Sequence, residues 1–236
     1  MKYLTILAIL FFNYLFSQDT NYNIFYNMRL TDDATLFSKN EFLKQSLKDA
    51  AKEKNEIKFT LECKENVSKF SLAKDIKNSE DNSVSFSLAI ASYSGDIYNF
   101  KNDSILKQCN ILGDKYYTKQ NSNKNWNITT ESKMIDTYTC YKATTIVEVI
   151  GEDRVFKHPI VAWFCPQIPI KHGPNGFGNL PGLIVELNYR NVTFFMKSFS
   201  INQEKEKKNS KLKNIIILSE MELNKKLIEF NNFENK

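Results

Sequence analysis

The chain has 236 residues, 42% of them hydrophobic and 13% aromatic, with a formal net charge of +5. That apolar content excludes a chain disordered along its whole length, and the length suits one domain able to bury its own core. Basic and acidic residues are mixed, and no basic stripe interleaved with stacking aromatics occurs, so the sequence offers no nucleic-acid surface.

Residues 1–17 (MKYLTILAILFFNYLFS) start with one lysine, continue as an apolar run over Tyr3–Phe16 broken by Thr5 and Asn13, and end on the small Ser17 before Gln18. This is the pattern of a secretory signal peptide. Cleavage after Ser17 leaves a single domain over residues 18–236. The expected location is exported: periplasmic, associated with the outer membrane, or secreted. The apolar run is shorter than the roughly 20 residues of a membrane span, and no later segment is longer, so no stable span is expected after cleavage.

Tyr22–Leu30 reads as a first strand. Ser38 and Glu41 have the spacing of a capping box, with Phe37 and Phe42 at the staple positions. A helix is expected to run to about Lys54 with Phe42, Leu43, Leu47, Ala50 and Ala51 on one face. From Glu56 the period changes to two. Ile57–Cys63 and Val84–Ala91 alternate as strands do, and Lys64–Ser83 between them reads as a polar excursion. Ile97–Phe100, Ser104–Leu112 and Lys115–Lys119 are short strands. After Trp126–Thr130 comes a longer pair, Thr139–Ile150 and Val155–Phe164, about a Gly151–Arg154 turn. Leu183–Tyr189 and Val192–Phe199 form a hairpin over Arg190–Asn191. Gln203–Lys213 (QEKEKKNSKLK) is the densest charge cluster and reads as a solvated loop. Asn214–Leu218 is a last strand. Ser219 and Glu222 then repeat the capping box with Leu218 and Leu223 as staple, opening a helix whose buried face is Leu223, Leu227 and Phe230.

Four cysteines in an exported chain suggest disulfides, and three pairings are open. Cys140 and Cys165 are equidistant from Glu152–Asp153. A hairpin about that turn sets them opposite each other, within disulfide reach. That pairing leaves Cys63 with Cys109. Pro159 requires an edge or a bulge in the same hairpin.

Residues 162–187 (AWFCPQIPIKHGPNGFGNLPGLIVEL) hold four of the five prolines and four of the seven glycines. So punctuated a segment is a fixed turn system. It resembles the GLPGLI family of secreted bacterial envelope proteins. The likeness is carried by Cys140, Lys142 and Ala143, then Ala162, Trp163 and Phe164, then the Ile168–Pro169, Gly173–Pro174 and Phe177–Gly178 pairs, and Leu180–Ile184 (LPGLI). Asn179 stands where the family name has its first glycine, and Asn tolerates a left-handed backbone. The resemblance implies secretion in Bacteroidetes-type bacteria and a β-rich fold. It brings no catalytic residues.

The two histidines, His158 and His172, lack the spacing of a zinc site, and His172 is expected to be exposed in a turn. No phosphate loop, dinucleotide fingerprint or serine elbow occurs, so no metal or cofactor is expected. Glu186 is a carboxylate in a strand whose alternate residues are apolar. The expected architecture is mainly β with two amphipathic helices on a curved antiparallel sheet or half-barrel. The expected role is non-catalytic binding of an apolar ligand or an envelope partner, in a cavity lined by Trp163, Phe164, Phe177, Leu183, Val185 and Leu187. An extracytoplasmic hydrolase using Asp or Glu and a structural module docking by a sheet edge are the alternatives.

Overall fold

The structure is a computed structural model and describes residues 21–32, 37, 39–52, 56–64, 67–74, 76, 81–101, 103–121, 125–150, 155–202 and 215–234. The expected leader at 1–17, the expected Gly151–Arg154 turn and the Gln203–Lys213 cluster lie outside them.

Twelve strands form one open, curled, mixed sheet that does not close into a barrel. In chain order they are β1 (Asn21–Leu30), β2 (Ile57–Lys64), β3 (Val67–Leu72), β4 (Ile97–Phe100), β5 (Ser104–Ile111), β6 (Asp114–Asn121), β7 (Asn127–Ile135), β8 (Tyr138–Ile150), β9 (Val155–Cys165), β10 (Leu183–Tyr189), β11 (Val192–Asn202) and β12 (Ile217–Leu218). Across the sheet they run β12-β6-β5-β4-β3-β2-β1-β11-β10-β9-β8-β7. Neighbours are antiparallel except β12, which lies parallel to β6.

Alternation along β1 and β2 places Ile24, Tyr26, Phe59 and Leu61 on one face, each with 1% of its surface exposed or less. There Phe59 stacks on Phe70 at 4.9 Å and meets Phe194 edge-on at 5.5 Å. Such aromatic pairs contribute about 0.5–1.5 kcal/mol each beyond the area they bury. Among the described residues three α-helices accompany the sheet: α1 (Glu41–Lys52), α2 (Asn82–Ile90) and α3 (Glu220–Glu234).

Several expectations need correction. Val84–Ala91 is not a strand but most of α2. Asp81 caps that helix, accepting from the Ser83 N–H at 2.8 Å. Serine at every second position mimics a strand's period, yet a serine hydroxyl buries readily in a helix, and Ser87 is 5% exposed. The polar excursion contains β3, whose Lys69 is neutralised by Asp96 at 2.9 Å. Helix α1 is capped by Asn40, whose Oδ1 accepts from the Leu43 N–H at 3.1 Å; Ser38 lies outside the described residues. Phe42 is 78% exposed and makes no staple, whereas Leu47 is fully buried. In α3 the capping box forms as expected: Ser219 N–H donates to Glu222 Oε2 at 2.8 Å, and the Glu222 N–H returns to Ser219 Oγ at 3.3 Å. Leu218 and Leu223 pack together there, but Leu227 is 41% exposed.

The β8–β9 hairpin has the expected register, unbroken from Tyr141 opposite Phe164 to Ile150 opposite Val155. No bulge accommodates Pro159. Pairing of β9 with β10 ends at Ile160, so Pro159 sits where β9 has a neighbour on one side only. Cys140 and Cys165 follow next in that register. Burial, and after it the nearby Cys165, pushes the Cys140 thiol up to about 11. All four cysteines are free thiols. Cys63 in β2 and Cys109 in β5 are separated by β3 and β4, which overturns the Cys63–Cys109 pairing.

Candidate functional site

The proline- and glycine-rich segment fills the hollow of the curled sheet. It leaves β9, reaches strands several positions away in the sheet order, and returns to β10. Trp126 Nε1–H donates to Gly178 O at 2.8 Å, and Asn175 Nδ2–H donates to Ala91 O at 3.0 Å. Gly176 lies over Ile97 and Ile105, and Gly173 lies against Ile184. Tyr26 donates its hydroxyl to Ile184 O at 2.6 Å, tying the returning strand to the sheet floor. Ile168, Ile170, Phe177 and Leu180 are each at most 5% exposed. Left-handed backbone occurs at Asn175 (φ 54°) and Asn179 (φ 66°). Asn179 therefore supplies the conformation a glycine would have given, and its side chain donates to Asp103 Oδ1 at 2.8 Å.

This packing distributes the six expected lining residues. Phe164, Leu183, Val185 and Leu187 are 0–2% exposed and belong to the core. Phe177 is held between Trp126 and Tyr189, at ring distances of 6.3 and 5.7 Å. Trp163 faces the other side of the sheet, beneath the Lys133 ammonium at 4.3 Å. Phe177 and Val185 border two different clefts. The hollow where an apolar cavity was expected is occupied by the chain itself.

Glu186 shares the outer face with Trp163. Lys133 Nζ stands 2.9 Å from its Oε2, and Asn188 Nδ2 donates to its Oε1 at 3.1 Å. A carboxylate tied at both oxygens serves the sheet surface. His172 is not exposed as expected. It bridges to Gly178, its Nδ1 is buried without a hydrogen-bond partner among the described residues, and burial pulls its pKa below the usual imidazole value. His158 lies elsewhere, stacked on Phe156 and 3.2 Å from Arg190. Among the described residues no three His, Cys, Asp or Glu side chains gather as metal ligands would.

Open space lies at the rim of the filled hollow. One cleft of about 650 Å³ runs between the β5–β6 side and β8, bordered by Lys107, Gln120, Glu148, Asn175 and Phe177. A second, of about 330 Å³, lies beside the segment at its other end. Pro169, Ile170, Lys171, His172 and Asn179 form one wall. Tyr22, Cys63, Phe100, Lys101 and Asp103 form the other. Burial, helped by Glu62, pushes the Cys63 thiol up to about 12, so it borders the space as a protonated, unreactive group. The opposing wall escaped sequence reasoning because Tyr22, Cys63 and Lys101 come from three distant stretches of chain. The turn residues around Asp103, whose φ is 61°, were the one local signal there.

A family profile described as a protein of unknown function (Porph_ging) matches residues 151–186. The match is short and takes in most of the hollow-filling segment. It is consistent with the GLPGLI resemblance. No curated protein matches the chain. Among solved structures, PNGF-II in its C2 crystal form is similar with a TM-score of 0.58 at 14% identity, and in its P21 form with 0.57 at 13%. Each alignment covers 89% of this chain and 33% of PNGF-II, so the chain spans about a third of that protein's length. At such identity the likeness is one of fold.

Proposed function

We propose that this chain is an exported, non-catalytic binding protein of the bacterial envelope, whose ligand sits at the rim of the curled sheet against the hollow-filling segment. The observation that carries this reading is the 330 Å³ cleft, one wall of which is that segment. Its volume falls within the 300–1,000 Å³ range of small-molecule sites. The prolines and glycines hold the wall in place before a ligand arrives, which reduces the ordering cost of binding. Export is supported by the leader-like residues 1–17 and by the family resemblance. No cysteine pair among the described residues stands at disulfide distance; in an oxidising compartment we expect Cys140 and Cys165, the positions just beyond the Tyr141–Phe164 pair, to move together and close one.

Native mass spectrometry on the protein isolated from its own cell envelope tests the reading. A chain starting at Gln18 with an added small-molecule mass supports it; a bare polypeptide mass counts against stable ligand carriage. One observation favours docking to an envelope protein as a second reading. Strand β7, nine residues long, forms an edge of the sheet. Such an edge offers backbone donors and acceptors to an added strand.

A further inference from the structure

The charges around the 330 Å³ cleft narrow what it can hold, granted the reading above that it is a binding site. Lys101 comes from the β4–β5 connection and Lys171 from the hollow-filling segment, and both border the cleft. Asp103 is the carboxylate on the cleft, and its Oδ1 already accepts from Asn179. His172 borders the same space, with its Nδ1 buried. The remaining border is apolar: Phe100, Pro169, Ile170, the Tyr22 ring and the protonated Cys63.

We propose that this cleft binds an anionic amphiphile, a carboxylate or phosphate monoester head between Lys101 and Lys171 with a short hydrocarbon body against Phe100, Pro169 and Ile170. Charge and shape both favour that class. With one carboxylate against two ammonium groups the cleft keeps an excess positive charge that an uncharged hydrocarbon would leave unused, and a bare anion would leave the apolar wall wet. A long lipid tail does not fit a space of this size; the body must be short or must leave the cleft mouth. The hydrogen bond between Asn179 and Asp103 fixes the turn that carries Lys101.

Isothermal titration calorimetry on the chain from Gln18 tests this, with octanoate, octyl phosphate, octanol and inorganic phosphate as separate probes. The expected result is that one or both amphiphilic anions bind at least tenfold more tightly than octanol and than inorganic phosphate. Preference between octanoate and octyl phosphate then tells a carboxylate ligand from a phosphate one. The Lys101→Ala/Lys171→Ala double variant should lose tenfold or more for the anions and keep its octanol affinity. Both lysines are exposed, so the variant should fold, which circular dichroism checks. Glu148→Gln, in the larger cleft, should bind like the parent. Equal binding of octanol and the anions, or an unchanged double variant, overturns the charge assignment while leaving a rim-binding protein. No binding of any probe, with a small-molecule adduct still present on the native protein, overturns this cleft as the site. No binding and no adduct overturn both.

Discussion

Gly182→Ala asks why the signature needs glycine after its last proline. The backbone there has φ +156°, and a Cβ would stand 2.1 Å from the Cys165 carbonyl oxygen and 2.8 Å from Pro166 Cα. Contacts under 3.0 Å essentially never occur for real Cβ atoms. The carbonyl would have to retreat by about 0.9 Å, an overpacking cost of about 1–3 kcal/mol. It has little freedom to do so, because Cys165 pairs with Leu183 and its oxygen accepts from the Ile168 N–H at 3.3 Å. The unfavourable φ adds a further ~1–3 kcal/mol. A total loss of about 4 kcal/mol is expected. Gly113→Ala is the matched control: its φ is +84°, but nothing lies within 4 Å of the added methyl group. That change should cost only the backbone term, about 1–2 kcal/mol. Urea unfolding followed by tryptophan fluorescence reads both, with unchanged slopes required for the comparison. Equal losses in the two variants would refute close approach as the reason for the glycine.

Three further outcomes are expected. Ser219→Ala removes the α3 cap and should cost about 1 kcal/mol; because the described side chains of α3 meet the sheet only near its start and middle, through Leu223 and through Lys226 over the Tyr116 ring, hydrogen exchange should show the loss within residues 220–234 and leave the sheet unchanged. Burial of His172 disfavours its charged form, so the unfolded chain takes up a proton first as pH falls. Stability should therefore be complete above about pH 6.5, the ordinary imidazole value, and decline below it until the lowered folded pKa is passed. His172→Gln should flatten that part of a denaturation series taken from pH 7.5 to 5. Closing Cys140 to Cys165 should stabilise by about 3 kcal/mol on chain-entropy grounds; intact mass two daltons lower, returned by denaturing reduction and accompanied by a lower unfolding midpoint, is the check. Alkylation of all four thiols in the native exported protein would refute the bond.

Much of the sheet could be read along the chain. Alternation marked β2 and β10, turn residues set off β5, and the symmetric spacing of Cys140 and Cys165 about Glu152–Asp153 gave the β8–β9 register because a hairpin is a local contact. The capping box at Ser219 was equally local. Val84–Ala91 reads as a strand because its serines recur at every second position, although the segment is a helix with Ser85 and Ala89 exposed and Ser87 buried. Asn40 was passed over as a cap because Ser38 matched the box motif two residues earlier.

By itself the sequence determined a mainly β fold, the fixed turns of the proline- and glycine-rich segment and the tolerance of Asn179 in place of glycine, since these depend on each residue's own backbone preferences and on its immediate neighbours. Only the tertiary structure decided where that segment goes. Its aromatic and branched residues fit the hollow of the curled sheet, so Phe164, Leu183 and Leu187 are covered by the protein's own chain and the open space moves to the rim. There Tyr22, Lys101 and Lys171 meet across roughly 150 residues of sequence. That meeting depends on how far a twelve-stranded sheet curls, a property of all its strand pairs together.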